Sequence, residues 1–168
     1  MGGGKMPIIS GRVGGIICGF SVSCTVAGGT IVGRSGGLLR GGNIDLRYDD
    51  AEIVGRLGGL VIGKDVVLQR QGNSLRGRLG GVVDGKNLFL ETDGRKVWGR
   101  VGGDFIGFSA DLQYEQGYLK GRLGGEVLGH DVNLEAPESD PLLAGLIACL
   151  TYYYYKVTDT GHNHHHHN

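Results

Sequence analysis

From Ile8 onward, apolar and polar residues alternate along two stretches, and the whole pattern returns every 22 residues. Alternation with a period of two is the signature of half-buried β-strands. The phase is marked by the pentapeptide Gly-Arg-(Val/Ser/Leu)-Gly-Gly, which begins at Gly11, Gly33, Gly55, Gly77, Gly99 and Gly121 with no insertion or deletion. One small supersecondary unit, copied in tandem, therefore builds most of the fold.

Numbering each copy 1 to 22 from its first glycine, a first strand runs from position 20 of one copy to position 8 of the next. Its inner face carries position 21 (Ile31, Ile53, Leu75, Val97, Leu119), position 3 (Val13, Leu57, Leu79, Val101, Leu123) and position 7 (Ile17, Leu39, Val61, Val83, Phe105, Val127). A second, shorter strand turns position 12 (Val22, Ile44, Val66, Leu88, Ala110, Val132) and position 14 (Cys24, Leu46, Leu68, Leu90, Leu112, Leu134) inward. Glycine at position 9, and Gln71-Gly72-Asn73 or Asp93-Gly94-Arg95 at the other junction, are hairpin-turn signals. Two-residue loops at both junctions set position 14 opposite positions 5 and 1, so Leu90 is expected between Gly81 and Gly99. Position 12 then falls between positions 7 and 3. Inner residues meet inner residues throughout, which a one-residue slip would destroy.

A parallel β-solenoid or a curli-type stack has the same period and is the competing architecture. Stacking would place the six repeat arginines in a column about 4.8 Å apart, and adjacent like charges destabilise a sheet. Antiparallel hairpins instead set Asp45 beside Arg56 and Asp111 beside Arg122. The pattern thus predicts an all-β meander of about twelve strands, which curls and closes. A barrel that wide is not filled by its own strand side chains, and glycines at positions 1 and 5 widen it further.

The expected occupant follows the last strand. Ser139-Asp140-Pro141 reads as an N-cap with proline at the first helical position. Leu142 to Tyr155 then runs without a polar face, as a buried helix does. A helix over 140–155 is expected inside the barrel. The alternatives are a membrane anchor, which needs about 20 apolar residues, or a helix packed outside or in a partner. One domain over 1–156 and a flexible histidine-rich tail over 157–168 complete the plan.

Twelve antiparallel strands closed around a C-terminal apolar helix resembles the tubby-like superfamily, which includes tubby C-terminal domains, phospholipid scramblases and LURP-one-related proteins. The resemblance covers residues 8 to 155 and is architectural, so no binding residue is carried over. It implies a non-catalytic barrel that contacts lipid or another macromolecule.

Composition changes this picture little. There are 17 basic and 17 acidic residues, net charge zero, so no long-range field recruits nucleic acid or an anionic membrane. Cys18, Cys24 and Cys149 do not follow the repeat, which argues against a disulfide framework and for a cytoplasmic setting. Met1 to Ile9 lacks the apolar run of a secretory signal.

Three groups are candidate sites. Arg12, Arg34, Arg56, Arg78, Arg100 and Arg122 form an outward belt that suits phosphate or lipid headgroups, or else serves as paired surface charge. Leu60, Ile62, Val67, Val82, Phe89 and Trp98 face outward and imply an interface, self-association being its simplest use. His164, His165, His166 and His167 offer only adventitious metal affinity, so no cofactor or metal site is expected. Tyr152 to Tyr155 are placed at one barrel mouth, as a cap or as a ligand surface. No serine or cysteine has a positioned histidine, and the glycine motifs lack the strand-to-helix setting of a phosphate loop. The expected function is therefore non-enzymatic: a binding or scaffolding barrel contacting lipid or a protein partner. The alternative is a structural subunit assembling into oligomers or fibres.

Overall fold

The computed structural model describes residues 7–15, 18–37, 40–59, 62–81, 84–103, 107–125 and 129–163, with side chains described as far as 159. Six strands carry the repeat arginine: β1 (Ile8–Gly14), β3 (Thr30–Gly36), β5 (Glu52–Gly58), β7 (Ser74–Leu79), β9 (Lys96–Gly102) and β11 (Tyr118–Gly124). Between them run β2 (Gly19–Ala27), β4 (Gly41–Tyr48), β6 (Gly63–Gln71), β8 (Lys86–Thr92), β10 (Gly107–Glu115) and β12 (His130–Glu135), followed by helix α1 (Pro141–Asn163). The twelve strands form a closed antiparallel barrel in sequence order, and β1 pairs with β12 to complete it.

Period-two patterning accounts for the inner wall. Ile31, Ile53, Leu75, Val97 and Leu119 are buried, as are Val13, Leu57, Leu79, Val101 and Leu123. From the other strands, the whole of positions 12 and 14 is buried. Position 7 lies outside the described residues.

The register differs from the expectation at one of the two junctions. Five of the arginine-bearing strands stop at position 4 and β7 stops at position 3, and where position 4 pairs with position 9, as in Gly58↔Gly63, four residues connect the two strands. Leu90 therefore lies between Gly99 and Leu75, not Gly81. Leu88 lies between Val101 and Gly77. The displacement is six residues (81 to 75), an even number, so every inner residue stays inside and the hydrophobic pattern is unchanged. Gly58 (φ +98°) and Gly80 (φ +88°) at position 4 adopt a conformation that L side chains disfavour, and they bend the chain out of the ladder there. The amides of Gly15, Gly37 and Gly59 then donate to the carbonyls of Cys18, Arg40 and Ile62, closing the connection. Position 5 consequently sits in an exposed connection and not in the lumen.

Position 1 keeps its place inside. At Gly33, Gly55 and Gly77 an added Cβ would run into the backbone of the preceding strand. The Leu46 and Leu68 side chains lie over Gly55 and Gly77, where that Cβ would meet their Cδ2 at 2.8 Å. This is the large-against-small packing of the inner wall.

Helix α1 fills the lumen. Residues Leu142 to Tyr154 are all buried, and Gly145 presses so closely on Val97 that a Cβ there would be 2.6 Å from its Cγ1. Asp140 is the N-cap: its carboxylate accepts from the Leu142 amide at 2.9 Å and its carbonyl from the Ala144 amide at 3.1 Å. The helix continues to Asn163, eight residues past the expected end at 155, so residues 157–163 belong to it and not to a tail. Beyond the rim Arg40 holds it, with Nη1 3.3 Å from the Asp159 carboxylate. Among the described residues, no helix is long and apolar enough to cross a membrane.

Candidate functional site

The structure offers three candidate surfaces: the arginine belt on the outer wall and the two mouths of the barrel. Belt residues sit at position 2, between two inward-facing glycine and apolar positions, so strand alternation turns them outward. Asp45 and Asp111 do stand opposite Arg56 and Arg122 in the register. The hydrogen-bonded ion pairs, however, go to the other side. Arg56 donates to Asp65 at 2.7 Å and Arg122 to Asp131 at 3.2 Å. The same i→i+9 choice takes Arg12 to Ser21, Arg78 to Asn87 and Arg100 to Ser109.

The cause is the four-residue connection. Nε and Nη2 of Arg12 grip the Gly15 carbonyl, and those of Arg100 grip that of Gly103. The Arg56 head lies against Gly63. Each head is thereby drawn toward the second strand of its own copy. Arg34 is exposed, with Ser23 and Asn43 beside it in the register. The Arg56 and Arg122 pairs are half-exposed or more, which limits each to about 0–1 kcal/mol.

The outward apolar residues are exposed as expected at Ile62, Val67 and Trp98. Leu60 and Val82 lie outside the described residues. Val67 has Val54 and Arg78 as cross-strand neighbours, Phe89 has Arg76 and Arg100, and Trp98 has Glu91 and Asp111. Charged side chains thus interleave with these apolar ones. Arg76 lies over the Phe89 ring at 4.4 Å.

At the upper mouth the four tyrosines fan outward from the helix. Tyr152 meets Phe108 edge-on at 4.6 Å, and Tyr155 meets Phe20 edge-on at 5.1 Å. Tyr154 fits over Gly42 and Gly58 and donates its hydroxyl to the Ile62 carbonyl at 3.1 Å, while the Tyr153 hydroxyl sits by Gly80. Burial raises the hydroxyl pKa of Tyr152 and Tyr153. His130 packs at 5.1 Å from Tyr152. Its imidazole is held below its usual pKa by desolvation first, then by Lys156 and Arg122, with Asp131 partly opposing. The tyrosines cap the lumen.

At the lower mouth, Arg70 of β6 reaches the helix N-cap, with Nη1 2.6 Å from Asp140 Oδ2 and both side chains partly buried. A cleft of about 570 Å³ opens beside this pair, floored by Ile9, Val26 and Leu143 and edged by Tyr48 and Asp49. The amides of Ala51 and Glu52 donate to the Asp49 carboxylate and lower its pKa.

All three cysteines are free thiols. Burial pushes Cys24 and Cys149 up to about 12, whereas Cys18 is exposed. Among the described residues, no cluster of histidine, cysteine or acidic side chains could hold a metal ion, and His164 to His167 lie outside them.

Sequence patterning missed the position-10 row (Phe20, Gly42, Lys64, Lys86, Phe108, His130), of which Phe20, Gly42, Phe108 and His130 meet the tyrosines, and the Arg70 and Arg76 contacts. Position 10 varies between copies, so periodicity hides it. Compared with known proteins, the chain matches no family model, no curated protein and no solved structure.

Proposed function

We propose that this chain is a non-enzymatic binding or scaffolding barrel that makes its contacts from the outer wall and rim. The observation carrying this reading is the filled lumen. A barrel of this width ordinarily encloses a ligand or a channel, but here Leu142 to Tyr154 occupy that space. Its partner is a lipid surface or a protein. The closure of antiparallel strands about a C-terminal apolar helix supports a tubby-like affiliation. Three free thiols support a reducing, cytoplasmic setting.

Two measurements test this. An apolar fluorescent fatty acid should find no stoichiometric internal site, and the amides of 142–152 should exchange only on global unfolding. One-to-one uptake with loss of that protection overturns the reading. Flotation with anionic vesicles, comparing wild type with Arg56, Arg78 and Arg100 replaced by Ser, separates the partners. No flotation of the wild type removes lipid and leaves a protein partner.

A further inference from the structure

We propose that the cleft in the lower mouth is a binding site for a small organic cation, a protonated amine carried on a compact apolar body. The inference rests on the rim reading above and deepens it by naming one site on the rim and its ligand chemistry.

The cleft follows from one inward position at the lower end of the wall. Position 16 places Val26, Tyr48, Arg70, Thr92, Tyr114 and Ala136 in a ring on the inner face there. On one side of the ring the chain covers itself. The Tyr114 hydroxyl donates to the Ala136 carbonyl at 2.6 Å and accepts from the Ser139 amide at 3.2 Å, which fixes the segment joining β12 to α1 on that side. Thr92 and Ala136 are buried. On the other side Val26, Tyr48 and Arg70 border the cleft of about 570 Å³. Its lining comes from β1, β2, β4 and β6 or the residues next to them, from the joining segment and from α1. A space enclosed in this way and of this size suits a compact small molecule.

The floor and the border differ in chemistry. Ile9, Val26 and Leu143 make the floor apolar, whereas four carboxylates, those of Asp49, Asp50, Glu138 and Asp140, line the cleft against one guanidinium. That guanidinium is already neutralised: Arg70 lies 2.6 Å from Asp140 and gives its Nε to the Gly72 carbonyl at 3.0 Å. Among the described residues, Asp49, Asp50 and Glu138 take part in no ion pair. Asp49 accepts the Ala51 and Glu52 amides on Oδ1, which keeps it charged and leaves Oδ2 for a ligand. The start of α1 opposes these charges with only about +0.5, so the three carboxylates dominate.

The acidic border is also a departure from the repeat. Positions 17 and 18 read Ala27-Gly28, Gln71-Gly72, Asp93-Gly94, Glu115-Gln116 and Pro137-Glu138 in the other copies, and Asp49-Asp50 is the one doubly acidic pair. The floor binds an apolar body whatever its charge, and the border then selects the sign. A carboxylate is repelled, a neutral ligand gains the floor alone, and an amine gains both. Alkylamines, like the lysine side chain with its pKa of about 10.4, are protonated at neutral pH.

The test titrates three ligands that share one body, phenylpropylamine, phenylpropanol and phenylpropionate, into the full chain by isothermal calorimetry. Saturable one-to-one binding of the amine is expected, at least tenfold tighter than the alcohol, with no saturable binding of the acid. Asp50→Asn combined with Glu138→Gln should weaken the amine at least fivefold and the alcohol less than twofold. Asp131→Asn, at the opposite mouth, should change amine binding less than twofold. Both substituted acids are exposed, so unchanged melting confirms that folding is intact. Absence of saturable amine binding, alcohol binding as tight as the amine, or equal losses in the double variant and Asp131→Asn overturns the site. An oligolysine peptide that displaces the amine at lower concentration overturns the small-molecule assignment in favour of a basic segment of a partner. Each of these failures leaves the lumen-exclusion test of the preceding section unaffected.

Discussion

Three glycines of one copy should respond very differently to the same substitution, alanine. At Gly77, on the inner face of β7, the new methyl would lie 2.6 Å from the Leu68 Cα, 2.8 Å from its Cδ2, and closer still to the Val67 carbonyl oxygen. Carbon atoms rest about 3.5–4.0 Å apart, so roughly 1 Å of overlap must be relieved. Two of the three neighbours are backbone atoms, and in a closed barrel a strand cannot move out without disturbing the ladder on its other side. Overpacking of this kind costs about 1–3 kcal/mol and occasionally more; with backbone opposing it, the upper end of about 3 kcal/mol is expected. For a chain of this size that lowers the melting temperature by about 6–12 °C. At Gly94, φ is +95° but nothing lies within 4 Å of the added carbon, so only a left-handed backbone penalty of about 1–2 kcal/mol applies. Gly81 has neither constraint. Alanine there should be neutral or stabilise by up to about 1 kcal/mol, by restricting the unfolded chain. Urea and thermal unfolding followed by circular dichroism would rank the three. A Gly77→Ala protein within 0.5 kcal/mol of wild type, or a Gly81 variant costlier than the Gly77 one, would refute the register of β6 and β7.

Leu146→Ala should cost about 3–5 kcal/mol, because the side chain is fully buried and the closed wall cannot collapse onto the void; Leu146→Asp should yield no folded protein, and a soluble mutant with unchanged melting would remove the helix from the lumen. A thiol reagent at neutral pH should label Cys18 rapidly and Cys24 and Cys149 only in denaturant, since burial keeps the latter two protonated up to about 12; mass spectrometry showing fast labelling at all three would contradict this. The fold depresses the His130 pKa below its ordinary 6.5, so the unfolded chain binds the proton more tightly and stability falls as pH drops through and below that value. His130→Gln should reduce the slope of melting temperature against pH between 7 and 5.5, and an identical slope in both proteins would count against the assignment.

What the chain reveals in advance is whatever repeats. Hairpins, inner faces and an outward arginine every 22 residues follow from alternation and glycine phase. The length of the connection after position 4 does not. Gly-Gly at positions 4 and 5 and glycine at position 9 are both turn signals, and the two pairings differ by an even number of residues, so hydrophobic patterning fits each equally. The lack of a polar face reveals the buried part of α1. Its extension through Lys156, Thr158 and Asp159 was hidden because Arg40, more than a hundred residues earlier, holds it. The belt was legible as a row of cations; which of them are flanked by acids required the register.

The register also bears on why there are six copies. At the closing seam Gly11 pairs with Leu134, the same position-1 to position-14 match seen in Gly33 with Cys24 and Gly77 with Leu68. Joints that are all alike would close equally well at other copy numbers, so the wall alone does not select six. The helix supplies the selection. Strands about 4.8 Å apart and tilted by about 40° give a wall radius of roughly 12 Å for twelve strands, against about 10 Å for ten and 14 Å for fourteen. A helix with its side chains has a radius of about 5–6 Å, which leaves about 6 Å at twelve strands for one interlocking layer of inner residues. Ten strands would crowd that layer and fourteen would open voids around it. Rotation within the ring is fixed where the copies differ: Tyr154 needs the space at Gly42, while Tyr155 and Tyr152 need the ring edges of Phe20 and Phe108. Turning the helix by one repeat would bring Tyr154 against a position occupied by Phe20 or Lys64, so the variable position-10 row sets the helix orientation that a uniform repeat would leave undetermined.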